Sequence, residues 1–123
     1  MIPKSKQFYY STKEQKIGKW IDGKALYRKC LKLTSPSTSN TNTNIYAITE
    51  NIDTLVNIRG IVYNKGSSYK GSINSYITAD DNIAVWGLCD TSGKITNIRC
   101  RASGTRINSP MNVIIEYTKT TEM

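Results

Sequence analysis

The chain has 123 residues, a formal net charge of +8 and no histidine. This length suffices for one domain with its own core, and no apolar run is long enough for a transmembrane helix or a signal peptide, so we expect a soluble protein without a membrane partner. The absence of histidine excludes the commonest general base, the commonest metal ligand, and both Ser–His and Cys–His nucleophile pairs.

The positive charge is concentrated near the N-terminus, where residues 1–32 hold nine Lys or Arg and two carboxylates. Residues 1–9 are predicted to form an extended basic arm, and residues 10–123 a single domain. The preferred interpretation of the lysines is a guard that prevents an edge strand from pairing with another sheet. Docking on an acidic protein surface ranks second. Nucleic-acid binding ranks third, because arginine is scarce in this region and no nucleic-acid motif occurs.

The first structural signal along the chain is a β-hairpin around Asp22-Gly23, flanked by Lys19–Ile21 and Lys24–Tyr27. Both central positions of a type I′ turn need a positive φ, which Asp and Gly tolerate, so we predict a two-residue turn. Before it, residues 11–15 resemble a helix capping box. No helical apolar repeat follows them, so they should form at most one helical turn or a bend.

The rest of the chain alternates in the manner of β-strands. Lys24–Leu33 has a period of two, and its more apolar face carries Ala25, Tyr27, Lys29, Leu31 and Leu33. Residues 34–44 are predicted to be a flexible Ser/Thr/Asn loop. The later strand candidates are Ile45–Ile48, Leu55–Tyr63, Ser72–Thr78, Ile83–Cys89, Lys94–Ala102 and Asn112–Tyr117.

Two glycine-containing sites refine this pattern. Gly60 is expected at a bulge or at a close approach of two backbones. Thr91-Ser92-Gly93 is expected to be the tight turn of a second hairpin. About eight short strands without a convincing helix predict an all-β fold, either an antiparallel β-sandwich or a jelly-roll-like domain.

No cofactor and no metal are predicted from the sequence. Cys30, Cys89 and Cys100 are odd in number and lack CxxC spacing, so we expect free thiols that act as small hydrophobes in strands. Asp80-Asp81-Asn82 offers oxygen ligands but lacks the length and the closing Glu of a calcium loop, which favours a solvated turn.

Aromatic residues are the remaining candidates for binding. Tyr63, Tyr69 and Tyr76 are interspersed with Asn and Ser, a composition suited to a glycan platform or to interface anchors. Trp86 is a further candidate contact. Aromatic residues in strands more often serve packing, so Trp20 and Trp86 are also expected in the core or in a subunit interface.

Residues 10–29, YSTKEQKIGKWIDGKALYRK, resemble the opening of a module that recurs in structural proteins of phages of Firmicutes and of gut-associated phages. That module begins Tyr-Ser-x-x-Glu-Gln-x-x-Gly-x-Trp-x-Asp-Gly-Lys-x-Leu-Tyr and ends near Glu/Gln-Tyr-Thr-Lys-Thr-Thr. The matching residues here are Tyr10-Ser11, Glu14-Gln15, Gly18, Trp20, Asp22-Gly23-Lys24, Leu26-Tyr27 and Glu116–Thr121, with Ile52-Asp53 and Ile58-Arg59-Gly60 resembling the central strand.

The resemblance covers residues 9–121 and implies a β-rich domain of a head fibre, tail fibre or baseplate, often trimeric, with no catalytic residue to transfer. Capsid or tail proteins would be its partners, and the virion, assembled in the bacterial cytoplasm, its location. Lys4, Lys6, Phe8 and Tyr9 would then be natural contacts to the virion.

Three functions follow, in order of preference. The first is a non-enzymatic virion structural protein (head fibre, capsid decoration or tail appendage) that forms a homotrimer. The alternative is a carbohydrate-binding adhesion module that contacts host or mucosal glycans. The third is a polysaccharide hydrolase with a carboxylate pair among Glu50, Asp53 and Glu116.

Overall fold

The structure is a computed structural model that describes residues 10–120, and the predicted arm at residues 1–9 lies outside this range. Nine strands occur in the described part of the chain: β1, Gln15–Lys19; β2, Ala25–Thr34; β3, Thr43–Ala47; β4, Ile52–Tyr63; β5, Lys70–Ser72; β6, Ser75–Thr78; β7, Asp81–Cys89; β8, Ile95–Ala102; and β9, Pro110–Lys119. One turn of 3₁₀ helix, Gly104–Arg106, precedes β9. Residues 12 and 13 form a bend, as the sequence suggested for this segment.

The strands form two antiparallel sheets. The larger sheet has the order β1-β2-β9-β4-β5, and the smaller has the order β3-β8-β7-β6. The predicted all-β antiparallel sandwich is therefore confirmed, with nine strands where about eight were expected. β9, the last strand of residues 10–120, lies in the middle of the larger sheet and pairs with both β2 and β4.

The core lies between the two sheets and depends on strict alternation within the central strands. In β9, Met111, Val113, Ile115 and Tyr117 are buried while the residues between them are partly exposed. The more apolar face predicted for residues 24–33 is the one that carries the buried residues of β2. Ile83, Val85, Ile98, Cys100 and Ala102 supply the core side of the smaller sheet.

The single strand predicted over Ser72–Thr78 is wrong. The chain leaves the larger sheet at the end of β5 and enters the smaller sheet at the start of β6. Ile73 is fully buried at this crossing, and the Asn74 side-chain oxygen accepts a hydrogen bond from the Val85 N–H at 2.9 Å. A buried residue on the crossover preserves the apolar alternation, which is why the pattern resembled one continuous strand.

The predicted type I′ turn is also wrong, although the hairpin exists. The Trp20 N–H donates to the Lys24 carbonyl at 2.8 Å, so three residues form the loop, and the Gly23 N–H donates to the Trp20 carbonyl at 2.9 Å. Gly23 has φ +89°, while Asp22 is not among the residues with positive φ. This is the G1-bulge hairpin, in which a single left-handed position suffices. The same bonds recur between Asp90 and Lys94 around Gly93.

The loop between β2 and β3 is fixed at its start. Ser35 is buried; its hydroxyl donates to the Arg106 carbonyl at 2.7 Å and accepts from the Ser109 N–H at 2.8 Å. The Asn40 N–H donates to the Ala102 carbonyl at 2.9 Å. The polar composition of this loop suggested flexibility, but the Ser35 hydroxyl bonds the segment between β8 and β9, and the Asn40 backbone bonds the end of β8.

Gly60 lies at a close approach of two backbones, one of the two roles predicted for it. It pairs with Val113, and a Cβ built on it would be 2.1 Å from the Asn112 carbonyl oxygen. The register shifts of the β4–β9 pair occur nearer the start of β4. The close approach therefore lies in a regular part of the β4–β9 ladder and not at a bulge.

The three cysteines are free, as expected, but differ in exposure. Cys100 is fully buried and Cys30 half-buried, whereas Cys89 is exposed, contrary to the small buried hydrophobe that its strand suggested. Burial raises the pKa of Cys100 to about 12. Burial also raises the pKa of Cys30, with Lys32 acting in the opposite direction.

Thiol labelling should therefore separate the three cysteines. With an aromatic disulfide reagent at pH 8, Cys89 should react first and Cys100 at least about 100-fold more slowly, because only an accessible thiolate attacks. Cys89→Ser should abolish the fast phase, and denaturant should release all thiols. If Cys100 reacts as fast as Cys89 in native buffer, this arrangement of the core is wrong.

Candidate functional site

The four aromatic residues predicted as glycan or interface contacts do not meet in one site. Tyr63 ends β4 in the larger sheet, and Tyr69 lies just before β5. Tyr76 and Trp86 belong to β6 and β7 of the smaller sheet. The Tyr63 hydroxyl accepts a hydrogen bond from the Asn112 amide at 3.4 Å. The region suggested by their proximity in sequence is therefore divided between two sheets.

Tyr69 is engaged within the fold. The Arg106 guanidinium carbon lies 4.5 Å from the centroid of its ring, a cation–π contact. A Cβ built on Gly71 would lie 2.4 Å from the Tyr69 hydroxyl, so the ring packs on the backbone of β5. This ring is half-buried and supports the ion pair that Arg106 makes with Asp81.

The predicted virion-docking residues, Lys4, Lys6, Phe8 and Tyr9, lie outside the described residues. The lysines of the described hairpin can be placed. β1 is an edge strand of the larger sheet, and its Lys16 and Lys19 are exposed. This position is the one that the edge-guard interpretation requires.

The outer face of the larger sheet carries a cationic cluster built around Tyr10. The guanidinium carbons of Arg28 and Arg59 lie 4.2 and 5.3 Å from the centroid of the Tyr10 ring. Arg59 also donates to the Tyr10 hydroxyl at 3.1 Å and lies 3.6 Å from a Glu116 carboxylate oxygen. This cluster was not predicted from the sequence, because its members are far apart in the chain. The charges of Arg59 and Glu116 are satisfied within it.

The outer face of the smaller sheet carries a second cationic group. Val85 and Cys100 are buried between the sheets, so their strand neighbours Trp86, Arg99 and Arg101 lie on the opposite face. Trp86 is half-buried and Arg101 is exposed. Trp86 was predicted as a contact from the sequence, whereas neither arginine was.

The strand register brings these residues into one row. Trp86 of β7 is directly opposite Arg99 of β8, and Arg99 is directly opposite Asn44 of β3. The Arg99 Nε donates to the Asn44 side-chain oxygen at 3.0 Å. Arg101 lies two residues further along β8, opposite the exposed Ala84. We call Trp86, Arg99, Arg101 and Asn44 the arginine–tryptophan patch.

A third polar group closes one end of the sandwich. Lys119 lies 2.5 Å from a Glu14 carboxylate oxygen and 4.4 Å from the centroid of the Tyr27 ring. The Tyr27 and Tyr117 rings stack with centroids 6.1 Å apart, and the Tyr117 hydroxyl donates to Glu14. The pKa of Tyr117 is raised above its ordinary value, mainly by burial and to a smaller extent by the hydrogen bond to Glu14. We call Glu14, Tyr27, Tyr117 and Lys119 the terminal network.

The carboxylates considered for hydrolysis are engaged in ion pairs. Burial acts to raise the pKa of Glu50, but the hydrogen bond from Lys29 at 2.5 Å and other contacts outweigh it, so the pKa is lowered. A hydrogen bond from Lys24 at 2.8 Å lowers the pKa of Asp53. Glu50 and Asp53 are thus each paired with a lysine, and Glu116 lies in the separate Tyr10 cluster.

Within residues 10–120, no group of three or more metal-binding side chains is placed to hold an ion. At the position weighed for calcium, Asp81 is bound to Arg106 at 2.7 Å, and the Asp80 N–H donates to the Thr78 hydroxyl at 3.2 Å. No helix among the same residues is long and apolar enough to cross a membrane.

Comparison with known proteins gives no match to a family model, to a curated protein or to a solved structure.

Proposed function

We propose that this chain is a non-enzymatic structural protein of a bacteriophage virion, a head-fibre, capsid-decoration or tail-appendage component that assembles as a homo-oligomer. The terminal network is the observation that carries this proposal. Glu14 and Tyr27 belong to the opening motif of the resemblance, while Tyr117 and Lys119 belong to its closing motif. The two motifs lie near opposite ends of the sequence, yet their side chains contact one another.

This contact supports the resemblance because it gives a structural reason for the residues at these positions in both motifs. Tyr117 and Glu14 are 103 residues apart in the chain and share a hydrogen bond. Lys119 contacts both Glu14 and the ring of Tyr27, so a change in one motif would leave a partner in the other unsatisfied. Such residues would persist together in a recurrent module.

The edges of the two sheets favour assembly through the smaller one. β1, at the edge of the larger sheet, presents lysines, which disfavour strand pairing with another molecule. β6, at the edge of the smaller sheet, has no charged residue, and its Tyr76 and Ile77 are 73% and 62% exposed. An uncharged edge with exposed apolar side chains is suited to contact with a second copy.

Ile77→Lys should therefore disrupt assembly. Light scattering after size exclusion should show the native chain as a discrete multimer, with a trimer expected, and the variant as a monomer, since a charge at the interface core opposes association. In phage particles purified after infection, the native chain should be present and the variant depleted.

Ile21→Lys is the matched control, because Ile21 is 91% exposed at the tip of the first hairpin, away from β6. It should leave the multimer intact. A monomeric native chain at micromolar concentration would refute the assembly. Absence of the native chain from purified particles would refute the virion role.

The second candidate function is carbohydrate binding in host adhesion. The arginine–tryptophan patch favours it, because a half-buried indole ring beside a side-chain amide and guanidinium groups offers both a stacking surface and polar contacts. Tyr76 lies on β6 of the same sheet. This function is compatible with the first, since virion appendages are placed where they can meet the host surface.

A further inference from the structure

We propose that the arginine–tryptophan patch binds a carboxylate-bearing pyranose of an acidic polysaccharide. This inference rests on the second function proposed above and specifies its ligand. Its residues lie on β3, β7 and β8, whereas the proposed assembly edge is β6.

The two arginines of the patch differ from the other arginines in their partners. Arg106 forms an ion pair with Asp81, and Arg59 with Glu116, and Arg28 stacks on the Tyr10 ring. By contrast, neither Arg99 nor Arg101 forms an ion pair with a carboxylate of residues 10–120. Their positive charges are therefore available to an external anion.

Asn44 restrains the Arg99 side chain in an orientation suited to binding an anion. Its side-chain oxygen accepts from the Arg99 Nε at 3.0 Å, which restricts the guanidinium plane and leaves the two terminal nitrogens to donate elsewhere. Two parallel N–H donors match the two oxygens of a carboxylate. A restrained fork loses less conformational freedom on binding than a mobile one.

The position of Trp86 favours a carboxylate attached to a sugar ring. Directly opposite residues on neighbouring strands have Cβ atoms about 5 Å apart. A pyranose stacked on the Trp86 indole would thus place a carboxylate on its own ring within reach of Arg99. Arg101 is two residues away, about 7 Å along the strand, where the small Ala84 opposite leaves the surface open.

The amount of charge argues for a saccharide over a nucleic acid. β3, β6 and β7 contain no Lys or Arg, so the positive charge on the strands of this sheet is confined to Arg99 and Arg101 of β8. Strong binding to a nucleic-acid backbone draws on roughly six to ten phosphate contacts. An acidic sugar needs one or two.

Isothermal titration with tetragalacturonate, and with neutral maltotetraose as the uncharged probe, tests the proposal on the intact chain. The native protein should bind tetragalacturonate and bind maltotetraose at least about 10-fold more weakly. Arg99→Gln and Arg101→Gln should each weaken binding of tetragalacturonate about 10-fold, the usual effect of losing a hydrogen bond to a charged group. Trp86→Phe, which keeps an aromatic ring, should retain more affinity than Trp86→Ala.

Arg59→Gln is the matched control, since it removes the same charge from the outer face of the larger sheet. It should leave affinity unchanged, and circular dichroism should show that each variant is folded. Failure of the native chain to bind at millimolar concentration would overturn the proposal. So would an equal loss in Arg59→Gln, equal binding of maltotetraose, or tighter binding of single-stranded DNA through Arg99 and Arg101. None of these results depends on whether the Ile77→Lys variant remains assembled.

Discussion

Gly60→Ala should lower the free energy of unfolding by about 3 kcal/mol, the upper part of the range for overpacking a well-packed interior. The added Cβ would lie 2.1 Å from the Asn112 carbonyl oxygen and 3.0 Å from the Val113 Cα. Both atoms belong to the backbone of β9, which is held on both sides by β2 and β4. Because no flexible side chain can move away, relief requires separation of the central strands. Urea denaturation followed by circular dichroism measures the loss.

Gly93→Ala provides the comparison for this prediction. Nothing lies within 4 Å of a Cβ built on Gly93, so the cost of the substitution comes only from its φ of +88°. That cost should be about 1 kcal/mol. If Gly60→Ala is no more destabilising than Gly93→Ala, the close approach of β4 and β9 is not as described.

Asp81→Asn should cost about 3 kcal/mol, the lower end of the range for breaking a buried ion pair. The Arg106 side chain is 1% exposed and that of Asp81 is 27% exposed, so the substitution leaves a buried guanidinium without its counter-charge. Asn keeps an oxygen that can accept from the Thr105 N–H, so the change mainly removes charge. Asp80→Asn is the control, because Asp80 is exposed and forms no ion pair with residues 10–120. Thermal and urea denaturation should show a small change there.

The effect of Asp81 should also depend on pH. Burial acts to raise the pKa of Asp81, but the hydrogen bonds from Arg106 and Thr105 outweigh burial and lower it below the ordinary value near 3.8. A carboxylate with a lowered pKa in the folded state stabilises the protein fully above its unfolded-state pKa and loses this contribution as the pH falls through the folded-state pKa. The difference in unfolding free energy between the native chain and Asp81→Asn should therefore be constant at neutral pH and shrink below about pH 4. A difference that is unchanged at pH 2 would contradict the assignment.

Alternation along the chain predicted the fold class because each sheet buries one face. Lys24–Leu33 is the clearest case, since its period of two identified the face that is buried in β2. The turn type could not be predicted from the sequence, because Asp-Gly is compatible both with a two-residue turn and with the three-residue loop that the structure contains. The crossover at Ile73 could not be recognised from the sequence, because the apolar residue buried there continues the alternation expected of a single strand.

The arginine–tryptophan patch depends on a register shift in the β7–β8 pair that the sequence of the turn does not predict. Counting back from the second turn pairs Cys89 with Ile95, and a regular ladder would then place Ile98 opposite Trp86. The register shifts between Leu88 and Cys89, so Arg99 is opposite Trp86. A one-residue shift exchanges the two faces of a strand. Without knowledge of this shift, Arg99 could not be placed opposite Trp86.

Arg106 was missed for a different reason. Its segment, Gly104–Arg106, has the composition of a polar loop, and its carboxylate partner is 25 residues away in the chain. Burial of an arginine is rare without a partner, and sequence alone does not show which carboxylate will be near. Long-range pairing of this kind follows from the topology.

The central position of β9 has a consequence for the order in which the chain can fold. β6, β7 and β8 pair with neighbours in sequence, so the smaller sheet can begin as local hairpins while synthesis continues. The larger sheet is different, because β2 and β4 are joined only through β9, which follows every other strand of residues 10–120. Closing it requires contacts of long sequence separation, which slow folding. We therefore expect the larger sheet to close only after β9 has emerged from the ribosome, and its closure to set the rate at which native protein forms.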